Sequence, residues 1–92
     1  RLKEARQAKG ISQKQLGIEA GIDEFSSSAR VNQYETGKHV PDLQTAEKLA
    51  EVLGVPAAFF YARDDQLAEL IRLFGSLDKT LRTQAIELLH KL

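Results

Sequence analysis

Apolar residues recur along this chain at helical spacing and never alternate. Leu2, Ala5 and Ala8 or Lys9 open the pattern as a thin stripe, Leu16 and Ala20 follow four residues apart, and Val31 and Tyr34 three apart. Leu43, Ala46, Leu49, Ala50 and Leu53 form the broadest stripe of the first half. Then come Leu67, Leu70, Ile71 and Phe74, and finally Leu81, Ala85, Leu88, Leu89 and Leu92. Residues three and four apart share one helix face, whereas a half-buried strand needs alternate positions. No run of period two lies between turn signals, so no strand is expected. The pattern predicts an all-α chain: a five-helix unit over residues 1–62, followed by two amphipathic helices over 63–92.

Punctuation sets the boundaries. Gly10, Gly21, Gly37 and Gly54 each follow an apolar-periodic run and end a helix. Ser12 and Asp42 stand where an N-cap is needed. Pro41 makes Val40 extended, and Pro56 suits the first turn of a short helix, AAFFY, whose Phe59 and Phe60 are expected in the core. Ile11 and Ile22 occupy the joints and should pack beneath them. The segment DEFSSS (23–28) is ambiguous, because Asp23, Ser26 and Ser27 are all capping types; the third helix starts between Asp23 and Ser27. Helix, glycine-containing turn and helix over 12–38 is the sequence form of a helix-turn-helix. In such a pair the second helix enters the major groove and the rest holds it in place.

Composition narrows the functions. With 92 residues, 42% apolar and 28% charged, the chain is of ordinary globular make-up. It has no cysteine, so disulfides, thiolate zinc sites and a cysteine nucleophile are excluded. With no cysteine, a metal site has only the imidazoles of His39 and His90 to build on, and they lie in different segments, so neither metal nor cofactor is expected. His90 lies beside leucines and reads as a surface or interface residue. The Ser26–Ser28 run lacks the Gly-x-Ser-x-Gly elbow and a neighbouring His and acid, so the chain is not expected to be an enzyme. No apolar run approaches the ~20 residues that span a bilayer, and no signal peptide is visible, so a soluble, cytoplasmic protein is expected. The absence of methionine implies residues before Arg1. Net charge is zero, which argues against a polycation that coats nucleic acid. Residues 1–40 carry seven Lys/Arg against five acids, so the positive excess falls in the half with the candidate reader.

With these residues in place, residues 2–61 resemble the Cro and phage-repressor (XRE-type) family of helix-turn-helix regulators. The matching pieces are LKEARQAKGISQKQLGIEAGI, ARVNQYETGKHVPDL and AEKLAEVLGVPAAFF, in that order. The resemblance implies binding to double-stranded operator DNA as a homodimer to control transcription, most simply as a repressor on a palindromic operator. One departure stands out: between Gly21 and ARVNQYE the chain carries about four residues more than the family pattern, close to one helical turn. They either lengthen the reading helix at its N-terminus or form a loop ahead of it.

Carried over from the family, Ser28, Ala29, Arg30 and Gln33 face the major groove. Arg suits guanine O6 and N7, and Gln suits adenine N6 and N7, each in a bidentate pair. The competing reading is that Arg30 and Gln33 are ordinary solvated helix residues. Ser27 is open between a cap and a DNA contact. Gln13, at the start of the second helix, is expected to touch phosphate and support the reader; Lys14, Thr36, Lys38 and His39 are further phosphate candidates. Arg6 and Glu35 match positions that form an ion pair in phage repressors, and Glu35 needs one, since an acid at a helix C-terminus opposes the macrodipole. Leu81, Ala85, Leu88, Leu89 and Leu92 make a stripe too wide for one small core to hide, and are expected to form the dimer contact. Two other readings keep the fold: an antitoxin-type protein whose last two helices bind a toxin, and a protein-interaction module that has lost DNA binding. A separate sensor for a small-molecule effector does not fit into 64–92.

Overall fold

The computed structural model describes residues 1–92 and is entirely helical. Helix α1 spans Leu2–Lys9, α2 Gln13–Glu19, α3 Glu24–Glu35, α4 Leu43–Leu53, α5 Asp65–Gly75 and α6 Lys79–His90. Between α4 and α5 lies a 3₁₀ helix, Ala57–Tyr61. This fifth helix is short and tight because Pro56 leads it and the Pro56 carbonyl accepts from Phe59 N at 2.9 Å, an i→i+3 bond.

Side chains cap most of the starts. Ser12 accepts from Gln15 N, Asp42 from Thr45 N, Asp64 from Leu67 N and Asp78 from Leu81 N. The bond from Thr45 holds the Asp42 carboxyl below the usual carboxylate range.

Leu16, Val31 and Leu49, from α2, α3 and α4, are completely buried and meet Leu2, Ala5, Leu53 and Phe59 in one core. Ile11, Ile22, Tyr34 and Phe60 pack against it half-buried. Leu43, expected to face inward, is instead 69% exposed. It occupies the first turn of α4, and the stripe reaches the core only from Ala46 onward. Ala8 is exposed as well, so α1 is held by Leu2 and Ala5.

Helix α5 joins this core. Ala68 is buried in the same cluster, with Ile71 packed beside it. Gly75 lets the helix lie on the chain before the 3₁₀ helix: a Cβ there would fall 2.5 Å from Pro56 Cγ. The Arg1 guanidinium donates to the Ala62 carbonyl, to Arg63 O at 3.0 Å and to Asp65 Oδ1 at 2.9 Å, clamping α1 to the start of α5. Helix α6 behaves differently, since none of its residues is buried. It is tied to α5 through Arg82, which donates to the Phe74 and Gly75 carbonyls and stacks over the Phe74 ring. The molecule is elongated, 50 × 23 × 23 Å.

Candidate nucleic-acid interface

Helices α2 and α3 cross at Gly17 and Ser27. A Cβ on Gly17 would sit 2.5 Å from the Ser27 Cβ, so only glycine permits this approach. Ser27 is fully buried there, and its hydroxyl lies 2.8 Å from the Asp23 carbonyl and 3.0 Å from that of Ile22. Of the two roles weighed for Ser27, neither holds: it is neither a cap nor exposed to a ligand, but the contact that seats α3 on α2. The cap is Asp23, whose carboxylate accepts from Phe25 N at 3.1 Å. The extra residues before ARVNQYE therefore belong to α3, which runs 12 residues and starts at the earliest of the possible points.

The C-terminal end of α3 is fixed by a polar network. Arg6 Nε donates to Glu35 Oε2 at 2.6 Å, Nη2 to Oε1 at 3.3 Å, and Nη1 to the Ile11 carbonyl at 3.0 Å. The side chains of Arg6 and Glu35 are 13% and 3% exposed, so this is a largely desolvated, bidentate pair. Gln13 Nε2 completes it, donating to Glu35 Oε1 at 3.0 Å and Asn32 Oδ1 at 3.1 Å. Gln13 is thus engaged with α3 itself. Asn32 was not singled out from the sequence, although it stands three residues before Glu35 on the same side of the helix.

Ser27 and Val31 point inward, with Tyr34 partly so. At 3.6 residues per turn the opposite face carries Phe25, Ala29, Asn32 and Thr36, and all four are exposed. Ser28 is exposed on the edge of this face nearer α2, and Gln33 is half-buried on its other edge. Arg30 is exposed but stands on the flank away from α2. The Thr36 hydroxyl donates back to the Gln33 carbonyl at 3.3 Å. Lys14, at the start of α2, is exposed with its Nζ 3.9 Å from Glu24. Lys38 and His39 are exposed in the turn after Gly37, where His39 N donates to Gln33 O at 3.2 Å. The five phosphate candidates thus divide: Gln13 is held in the network, while Lys14, Thr36, Lys38 and His39 lie at the two ends of the exposed face.

On α6, Leu81, Leu88 and Leu89 are exposed and Ala85 is half-buried, and Leu92, just past the end of the helix, is exposed as well. No group of three or more His, Asp or Glu side chains converges on a possible metal site. No helix is long and apolar enough to cross a membrane.

A helix-turn-helix family model matches residues 2–60, which is α1 through the 3₁₀ helix. The chain belongs to the helix-turn-helix family. This family, of the Cro and phage-repressor type, comprises transcriptional regulators and not enzymes. Among its relatives is the SPbeta prophage-derived uncharacterized HTH-type transcriptional regulator YonR of Bacillus subtilis (strain 168), 41% identical over 59 residues. That match takes in 64% of this chain and 51% of YonR, so the chain spans about half the length of the curated relative it matches. The crystal structure of the transcriptional regulator BswR superposes with a TM-score of 0.89 at 48% identity, over 99% of this chain and 90% of that one. The likeness to BswR therefore extends through α5 and α6, beyond the helix-turn-helix unit.

Proposed function

We propose that this helix-turn-helix protein is a sequence-specific DNA-binding transcriptional regulator that represses by occupying a palindromic operator as a homodimer. Residues 1–62 read DNA and residues 63–92 dimerise. The observation that carries the reading is the Arg6–Glu35–Gln13–Asn32 network. It locks a long α3 against two other helices while leaving Phe25, Ala29 and Thr36 exposed on the opposite face, which Gln13 touches only at Asn32. A helix held so rigidly and left so bare is suited to enter a groove, where a loosely held one would lose entropy on binding. Ala29 lies on that face, Ser28 and Gln33 border it, and Lys14, Lys38 and His39 flank it where backbone phosphates would lie.

The dimer rests on α6. Its leucines Leu81, Leu88 and Leu89 are all exposed in the protomer, and a second copy would cover them by two-fold symmetry. Half-sites would then stand about one helical turn apart, roughly 10 bp, or a multiple of that. The likeness to a transcriptional regulator over 99% of the chain favours this arrangement over a DNA-binding head with a toxin-binding tail.

The test is selection of bound sites from random duplex DNA, followed by shift assays at several salt concentrations. A palindromic consensus and a falling log K against log salt support the proposal. No enrichment of any sequence refutes it.

A further inference from the structure

We infer that Phe25 is a base-reading residue, placed in the groove by the extra turn of α3, and that it recognises thymine through the 5-methyl group. The inference rests on the DNA-binding reading above and deepens it. Phe25 is 95% exposed, although it belongs to a residue type that folding normally hides. It lies one turn before Ala29 and two before Asn32 on the outward face of α3, so it continues that face to the N-terminal tip. In helix-turn-helix proteins the N-terminal residues of the reading helix reach the base edges.

The charges at this tip decide what it can meet. A free helix N-terminus would attract a phosphate. Here the Asp23 carboxylate already accepts from Phe25 N, and Glu24 adds a second negative charge, offset by Lys14 only at 3.9 Å. Backbone phosphate is therefore left to Lys14 beside the tip and not to the capped helix N-terminus itself, and an apolar ring projecting beyond it is suited to the floor of the groove. The thymine methyl is the one apolar group displayed there, and phenylalanine is a side chain that contacts it. Ala29, next along the same face, has a methyl of its own to add.

The test compares the wild-type protein with Phe25→Ala on the site recovered by selection. Each thymine of that site is also replaced singly by uracil, which removes the methyl and nothing else. Because Phe25 touches so little of its own protein, Phe25→Ala should keep the helical circular dichroism and melting temperature of the wild type. It should lose about tenfold or more in affinity for the selected site. Uracil at one or two positions should weaken the wild type about fourfold per methyl and leave Phe25→Ala unaffected. Equal uracil losses in both proteins, or none in either, would overturn the inference while leaving the DNA-binding reading intact. A change in sedimentation with unchanged DNA affinity would make Phe25 a protein contact and equally overturn it. If the wild type selects no site at all, the reading fails and the inference goes with it.

Discussion

Gly17 and Ser27 meet where α2 crosses α3, so closely that a Cβ on residue 17 would lie 2.5 Å from the Ser27 Cβ and 2.9 Å from its Cα. Two effects oppose each other in Gly17→Ala. Alanine favours the helix by about 1 kcal/mol over glycine. Overpacking against a neighbour costs about 1–3 kcal/mol, and here part of the clash is with backbone that no rotamer change relieves. The clash should win, with a net loss of about 1 kcal/mol or more in urea unfolding. Because the substitution pushes α3 away from α2, DNA affinity should fall with it. Ser27→Ala should not rescue the double variant, since the Cβ remains; full rescue would mean that the hydroxyl alone is crowded.

The Arg6–Glu35 pair predicts a larger loss. Removing one member of a desolvated pair leaves the other charge uncompensated, which costs on the order of 3 kcal/mol, against ~1 kcal/mol or less for a surface bridge. Glu35 is 3% exposed, so Arg6→Ala belongs to the first class, with only Gln13 left to bond the carboxylate. Glu35→Gln should be milder, because a neutral amide can still accept from Gln13. A double-mutant cycle between these two substitutions should show coupling well above 0.5 kcal/mol. Coupling of zero would contradict the bidentate geometry.

How much of this was legible in the sequence differs from element to element. The α4 stripe and its Asp42 cap were readable, because both signals are local. Leu43 was not, since the period that put it inward cannot say where along the helix the core begins. The start of α3 stayed open among three capping residues until burial decided it: Ser27 faces Gly17, a contact between residues ten apart that no local pattern encodes. A hint existed, for a mid-helix glycine such as Gly17 is unfavourable unless something lies close. Phe25 carried a similar hint, an aromatic off the period of Val31 and Tyr34. The family motif brings Arg6 and Glu35 into view and gives Gln13 a part in supporting the reading helix, but that this support is a bond to Glu35 itself is a contact between distant residues that no local pattern encodes.

If α6 holds the dimer, Leu89→Glu should separate it. Leu89 is 47% exposed in the protomer, so a charge there is tolerated by the fold but not by an apolar contact between copies. Sedimentation velocity should show a monomer, and operator affinity should fall steeply because two half-sites are no longer engaged together. Removing α6 after Ser76 should act likewise, since α6 buries none of its own residues. A dimer that survives both changes would place the interface on the five-helix unit instead.

Arg30 and Lys38 separate reading a base from holding the backbone. Lys38 is exposed just past Gly37, whose positive φ turns the chain after α3, and on the proposed reading it meets backbone phosphate. Lys38→Ala should therefore weaken all sequences alike and lower the salt slope by about one unit for the lost phosphate contact. Arg30 was assigned to bases on the family pattern, yet it stands on the flank of α3 away from α2 and off the Phe25–Ala29–Asn32 face. If it reaches guanine, Arg30→Ala should cost about 1–3 kcal/mol on the selected operator and much less on one substituted at that base pair. If it meets phosphate, the loss should be the same on every sequence and the salt slope should drop as it does for Lys38→Ala. The comparison is made on one pair of operators with both variants, so the two losses can be set side by side. A sequence-independent loss at Arg30 would shift base reading onto the outward face, where Ala29, Asn32 and Gln33 would carry it together with the residues of the extra turn.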